Sequence, residues 1–253
     1  MNAQFWDTVA TTFDDEIFNT LANDRNNTIR NHIDRFSSPD LIACDFGCGV
    51  GRYLPLLSEK FRAVCAVDIS RKCLEVAQRN CASLDNVTYW RLDLSSNHSK
   101  LDKFDFAICV NSLLAPSLRK RRSALETIYQ HLTRDGRLLI VVPSLESALF
   151  STSRLFEWRD RTSNGKKNGF AIKLGAKDSR GLDIARGVLN LDGLLEKHYL
   201  KEELLVALED AGFEVDTFEK VEYSWKAMFD KPPRWMKEPY PWDWLATCRK
   251  RVS

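Results

Sequence analysis

The chemistry on offer in this sequence is concentrated in three acidic residues and one glycine loop. Asp45 opens the stretch Asp45-Phe46-Gly47-Cys48-Gly49-Val50-Gly51, Asp68 stands 21 residues after Gly47, and Asp93 stands 25 after Asp68. Three glycines in five positions cost backbone entropy, and such a run is used where another group must come close to the chain. Phosphate is the first candidate, and spacing speaks against it. The dinucleotide fingerprint G-x-G-x-x-G needs glycine at position 52, which is arginine, and no Gly-Lys-Ser/Thr follows to make a P-loop. Asp45 would also set negative charge beside a pyrophosphate. It suits a ligand with a cationic end, and the glycines then admit an uncharged sugar.

These residues need strand ends to hold them, and the hydrophobic pattern supplies them. Apolar runs predict strands over 41–46, 63–67, 87–92, 104–110 and 138–142, the last stopped by Pro143. Helices are expected from Arg52 to Lys60, after the capping residue Ser70 (Leu74, Ala77 and Cys81 on one face), and around Leu125, Ile128, Tyr129 and Leu132, closed by an Asp135-Gly136 turn. The rhythm resumes with a helix over 201–211, a strand over 213–218 and a last strand within 244–248. Residues 1–40 read as a helical cap from Trp6, Ala10, Phe13, Ile17 and Leu21, broken by Ser37-Ser38-Pro39-Asp40. Near-continuous apolar strands between amphipathic helices mean a parallel sheet covered on both faces. Each acid then falls at the carboxyl end of a strand, where open α/β sheets bind ligands.

Asp45 to Gly51 closely resembles motif I of the class I S-adenosylmethionine-dependent methyltransferases, and the resemblance extends over about 4–212. It implies an α/β, Rossmann-like fold: a mostly parallel seven-stranded sheet with helices on both faces, an N-terminal helical cap (1–40) and a methyltransferase domain (41–253). An insertion after strand five, 144–197, would form a substrate-side lid. The implied cofactor is S-adenosyl-L-methionine, cradled by Asp45, Gly47, Cys48, Gly49 and Gly51. Asp68 matches the acid that binds both ribose hydroxyls, since a carboxylate offers two acceptors to two adjacent donors. Ile69 matches the apolar neighbour of the adenine, and Asp93-Leu94 the end of the third strand, where the acid accepts from the adenine amino group. Asn111 ends the fourth strand, which faces the methyl donor, and Phe13 matches an aromatic that lies over the cofactor. Leu132-Thr133-Arg134-Asp135-Gly136-Arg137-Leu138 is like the family's lead into strand five, with Asp135 where glycine is commoner.

The acceptor is less legible. A sulfonium is already an activated donor, so such an enzyme works mainly by alignment and need show no catalytic dyad. Lys197-His198-Tyr199, before the helix at 201, resembles a region that borders the substrate cavity in related enzymes; His198 as a base and Tyr199 are the catalytic candidates. Asn111, Ser112, Glu146 and Asp24-Arg25 are further contact candidates, and His32 another. Between Arg154 and Arg186 nine basic residues stand against four acidic ones. This run reads as a solvated lid, or as a pocket wall that favours an anionic small molecule. Few aromatics interleave it, which argues against RNA. RNA or protein methylation, and a cofactor-binding protein without transfer activity, are the rival readings. Seven cysteines without a CxxC read as buried thiols, and Cys48 as a small residue fitting between glycines. Neither a signal-peptide pattern nor an apolar run of spanning length is seen, so a cytoplasmic location is expected. Oligomeric state is left open.

Overall fold

The computed structural model describes residues 3–96, 101–162, 183–191 and 194–251. Four short helices come first: α1 (Ala3–Val9), α2 (Phe13–Glu16), α3 (Thr20–Asn23) and α4 (Thr28–Phe36). Strand and helix then alternate through β1 (Ile42–Phe46), α5 (Leu54–Lys60), β2 (Ala63–Asp68), α6 (Arg71–Asn80), β3 (Val87–Arg91), β4 (Phe104–Val110), α7 (Leu118–Gln130) and β5 (Leu132–Pro143). After them come α8 (Leu145–Thr162), a 3-10 turn (Ile184–Arg186), the hairpin β6 (Val188–Leu191) and β7 (Leu194–Lys197), α9 (Lys201–Asp210), β8 (Phe213–Glu222), α10 (Trp225–Met228) and β9 (Trp242–Lys250).

Seven strands form one sheet in the order β3-β2-β1-β4-β5-β9-β8, parallel from β3 to β5, with β9 antiparallel to both its neighbours. The alternation of side chains along each strand sorts the core into two layers. Ala43, Val64, Phe106, Ile108, Leu139 and Val141 face Ile29 and Ile33 of α4, Leu54 and Leu57 of α5, and Leu74 and Ala77 of α6. Cys44, Phe46, Cys65, Ala107, Cys109 and Ile140 face Leu125 and Ile128 of α7 and Leu204 and Leu208 of α9. Strand order reverses between β1 and β4, and this reversal opens a crevice at their carboxyl ends. All seven cysteines are buried and unpaired. Among the described residues no helix is long and apolar enough to cross a membrane, and no cluster of His, Cys, Asp and Glu is placed to hold a metal ion.

Two expectations change. The helix expected to include Leu132 ends at Gln130, and residues 132–137 join the strand. Phe104 pairs with Leu132 and its N–H donates to His131 O at 2.8 Å, so Asp135-Gly136 lies in a register shift of β5 against β4 rather than in a turn. A Cβ on Gly136 would lie 3.0 Å from Phe104 O, which explains the glycine. The stretch 144–197, read as a break in the alternation, begins with the 18-residue helix α8. Only Leu145 and Ser147 of α8 are buried, so it lacks the apolar stripe that betrays a helix in sequence. Phe150 packs against Trp225 and Trp242, with ring centroids 5.8 and 6.2 Å away. Lys166, Lys167, Lys173, Lys177, Asp178 and Arg180 of the basic run lie outside the described residues.

Candidate active site

The glycine loop turns back on β2 as soon as β1 ends. The N–H groups of Gly47 and Cys48 both donate to Val67 O, at 2.7 and 3.0 Å. Gly47 holds φ +84°, and a Cβ there would sit 2.0 Å from Ser112 Oγ in the segment after β4. Only glycine meets both demands. Gly49 lies under the Phe13 ring, whose Cζ would be 2.9 Å from an added Cβ, and its N–H donates to Asp68 Oδ2 at 2.9 Å. Gly51 does something else: it lets the loop pack on Leu54, Ala77 and Cys81, each 3.1–3.2 Å from a Cβ, and it is not among the cavity residues.

Over this loop lies a cavity of about 680 Å³. Of the cofactor candidates, Phe13, Asp45, Gly47, Cys48, Gly49, Asp68, Ile69, Asp93, Leu94 and Asn111 line it together. Asp45 is 1 % exposed and its Oδ2 has no hydrogen-bond partner. Burial, with repulsion from Asp68 added, pushes its carboxyl up to about 8. Asp68 accepts from Gly49 N–H and, through Oδ1, from Ser70 N–H at 2.8 Å; burial nevertheless raises its carboxyl. Those two bonds fix the carboxylate and leave lone pairs for a ligand diol. Asp93 turns its Oδ1 to Ser95 N–H and Oγ, at 2.9 and 2.7 Å. Burial drives the Cys48 thiol far above its usual range, so it is no nucleophile.

The roof comes from the N-terminus. Asp7 of α1 accepts from Ser70 Oγ at 2.6 Å and Lys72 N–H at 3.1 Å, tying α1 to the start of α6. Arg52 grips the next turn: its guanidinium donates to the carbonyls of Phe13, Ile17 and Phe18 at 3.2, 2.9 and 3.0 Å, pairs with Asp14 and stacks over the Phe13 ring. Arg52 therefore clamps the cavity's roof to the glycine loop. Sequence reasoning noticed it only as the residue that spoils a dinucleotide fingerprint.

The catalytic candidates stand elsewhere. Neither His198 nor Tyr199 is a cavity residue. Tyr199 is buried and its hydroxyl donates to Leu113 O at 2.7 Å, while burial drives its ionisation far up. Burial holds the His198 imidazole down to about 4, which makes it a weak base. Glu146 is committed to Lys201 N–H, Ser144 Oγ and Trp244 Nε1. Asp24 accepts from Ile29 N–H in the first turn of α4, and His32 pairs with Glu219. Ser112 lines the cavity with its hydroxyl on Gly47 O and Val110 O. In the described part of the basic run, Arg154 and Arg161 pair with Glu157, Arg159 with Asp160 and Arg186 with Asp183, and none of them lines the cavity. Glu196 and Leu194, which sequence reasoning missed, do line it, from alternate positions of β7. The signal was the period-two face of that strand, hidden in a segment read as irregular.

The family profile described as "Methyltransferase domain" matches residues 43–136, from β1 to the register shift in β5. No curated protein matches the chain. Among solved structures, a SAM-dependent methyltransferase from Methanosarcina mazei is 18% identical, covering 88% of this chain and 98% of that one at a TM-score of 0.62. The complex of DhpI with SAM and HEP is 17% identical over 97% of this chain and 94% of that one, TM-score 0.63. The [4+2]-cyclase SpnF is 16% identical over 99% and 96%, TM-score 0.64. At such identities the likeness is one of fold.

Proposed function

We propose that the chain, whose residues 43–136 match the family profile described as a methyltransferase domain, transfers a methyl group from S-adenosylmethionine to a small-molecule acceptor held in the same cavity as the donor. The observation that carries this reading is continuity. One space runs from Asp68, Ile69 and Asp93, past the glycine loop, to Asn111, Leu114 and Glu196, roofed by Phe5, Trp6 and Phe13. A polymer acceptor asks for an open basic track, and the described arginines of α8 are spent in ion pairs on carboxylates.

The residues present fit the cofactor. The orphaned Oδ2 of buried Asp45 asks for a donor, and an aminoacyl ammonium supplies one. When bound, S-adenosyl-L-methionine supplies a sulfonium-activated methyl group. In this reading Asp68 accepts from the ribose hydroxyls, Ile69 and Leu94 pack against the base with Asp93 at its edge, and Phe13 covers the site. Gly47, Cys48 and Gly49 keep the loop close to the ligand, while Gly51 acts through packing. His198 and Tyr199 act at a distance: Tyr199 holds Leu113 and so shapes the segment after β4. Alignment does the catalytic work, with water excluded by the Arg52-clamped roof.

The test is an acceptor screen. The protein is incubated with S-adenosylmethionine and, separately, with a metabolite panel, bulk RNA and unfolded protein, and products are examined by mass spectrometry for the gain of one methylene. Methylation within the metabolite panel is expected. Methylation of RNA or protein alone would overturn the reading.

A further inference from the structure

The far end of the cavity carries buried polar atoms that have no partner. Asn111 holds φ +48°, a left-handed backbone that non-glycine residues seldom adopt and that clusters at functional sites. Its Nδ2 donates to Thr20 Oγ1 and Asp243 Oδ2, both at 3.2 Å. Asp243 also accepts from Tyr223 Oη at 2.7 Å, so it is the acceptor that fixes which way the amide points. Asn111 Oδ1 is thereby left buried and without a partner, on the cavity wall. Tyr53, 7 % exposed, leaves its hydroxyl unpartnered on the same lining. Glu196 joins them from β7, a strand pinned by Lys197 N–H on Leu114 O at 2.9 Å. The Glu196 carboxylate makes no hydrogen bond or ion pair with any described residue, and burial raises it, with Asp243 adding repulsion.

Among the described residues, the inward positive charge is already spent. Arg52 is committed to three carbonyls, and Arg121 donates to Ala115 O and Pro116 O at 2.8 Å and faces Glu203. Lys120 is exposed, at the rim. Among the described residues, an anionic acceptor would meet Glu196 and Asn111 Oδ1 with no inward cationic side chain to offset them. A ligand rich in N–H donors and carrying positive charge answers both.

Resting on the reading that donor and acceptor share this cavity, we propose that the acceptor is a cationic amine, gripped through its N–H groups by Glu196 and Asn111 Oδ1. An ammonium has no lone pair to offer, so it must first lose a proton. That proton passes from the nitrogen to the Glu196 carboxylate, which becomes the neutral acid while the ammonium becomes the neutral amine. Glu196 is thus both anchor and proton acceptor.

The experiment uses the whole chain saturated with S-adenosylhomocysteine and three probes of one shape: benzylamine, benzyl alcohol and benzoate, each titrated by calorimetry at neutral pH. Benzylamine is expected to bind at least tenfold more tightly than the other two. Glu196→Gln should abolish that preference and Glu196→Asp should keep part of it, with circular dichroism and S-adenosylhomocysteine affinity unchanged in both. Equal or tighter binding of benzoate or benzyl alcohol overturns the proposal. So does the absence of any probe binding, or a preference that survives in Glu196→Gln. Failure of S-adenosylhomocysteine itself to bind would instead overturn the cofactor reading. Binding of the nucleoside without amine preference sinks this inference alone.

Discussion

Asp45 makes a quantitative demand on cofactor binding. Its carboxyl is raised to about 8 by burial and by Asp68, so at neutral pH the free protein holds it protonated. In the unfolded chain the group would ionise near 3.8. Keeping the proton to pH 7 therefore costs the fold on the order of 4 kcal/mol, and the sign is that of a raised carboxyl: stability falls as pH rises from about 4 toward 8. A ligand ammonium that pairs with Oδ2 requires the ionised form, and the proton must leave on binding. The α-amino group of S-adenosylhomocysteine, with its own carboxylate beside it, stays protonated beyond the roughly 7.7–8.0 of a peptide N-terminus. Affinity should then level off above about pH 8 and weaken about tenfold for each pH unit below 7. Calorimetry in two buffers of different ionisation enthalpy should find roughly one proton released near pH 6.5 and the release lost by about pH 9. Asp45→Asn should abolish the release. A dissociation constant that is flat between about pH 5.5 and 7.5, with no proton released, would refute the reasoning, because it would mean that Asp45 is already ionised.

Other perturbations follow from the contacts. Arg52→Ala frees the roof segment from three carbonyls and Asp14; limited proteolysis should cut within 10–20 sooner, and nucleoside affinity should fall about tenfold, whereas unchanged cleavage would show the clamp to be idle. Gly47→Ala must place a methyl 2.0 Å from Ser112 Oγ at φ +84°. Denaturant unfolding should register a loss of about 2 kcal/mol, only part of it recovered by adding Ser112→Gly, since the backbone strain stays. Glu203→Gln takes the carboxylate from the fully buried Lys197 ammonium and leaves it Arg186 O and the face of the Tyr199 ring. Thermal unfolding should detect a loss of about 2 kcal/mol, discounted because Glu203 is about a third exposed, and an unchanged midpoint would deny the pair a role.

The centre of the sheet was legible because β1, β2, β4 and the second half of β5 are buried on both faces. Continuous apolar runs such as Phe106–Val110 and Leu138–Val142 read as buried strands once glycine, proline and capping serine punctuate the chain around them. The donor end of the cavity was legible for a related reason: Asp45, Asp68 and Asp93 take their places from strand ends, which local pattern sets. What stayed hidden depends on contacts between distant segments. Arg52 reads as an ordinary charged residue until its carbonyl partners at 13, 17 and 18 come into view. Glu196 lies on a four-residue strand, too short for alternation to show. Tyr199 belongs to a region expected to border the acceptor, and its hydroxyl turned instead to Leu113 O. The basic run invited a reading by net charge, yet its four described arginines are paired with three carboxylates one to four residues away.

The central claim is that the space over the glycine loop holds S-adenosylmethionine through Asp68. Equilibrium dialysis with the labelled cofactor, run on the native chain and on Asp68→Ala, tests it most directly. One saturable site is predicted for the native chain, weakened at least about tenfold in the variant by loss of charge-assisted hydrogen bonds. Absence of saturable binding, or equal affinity in the two proteins, would contradict it.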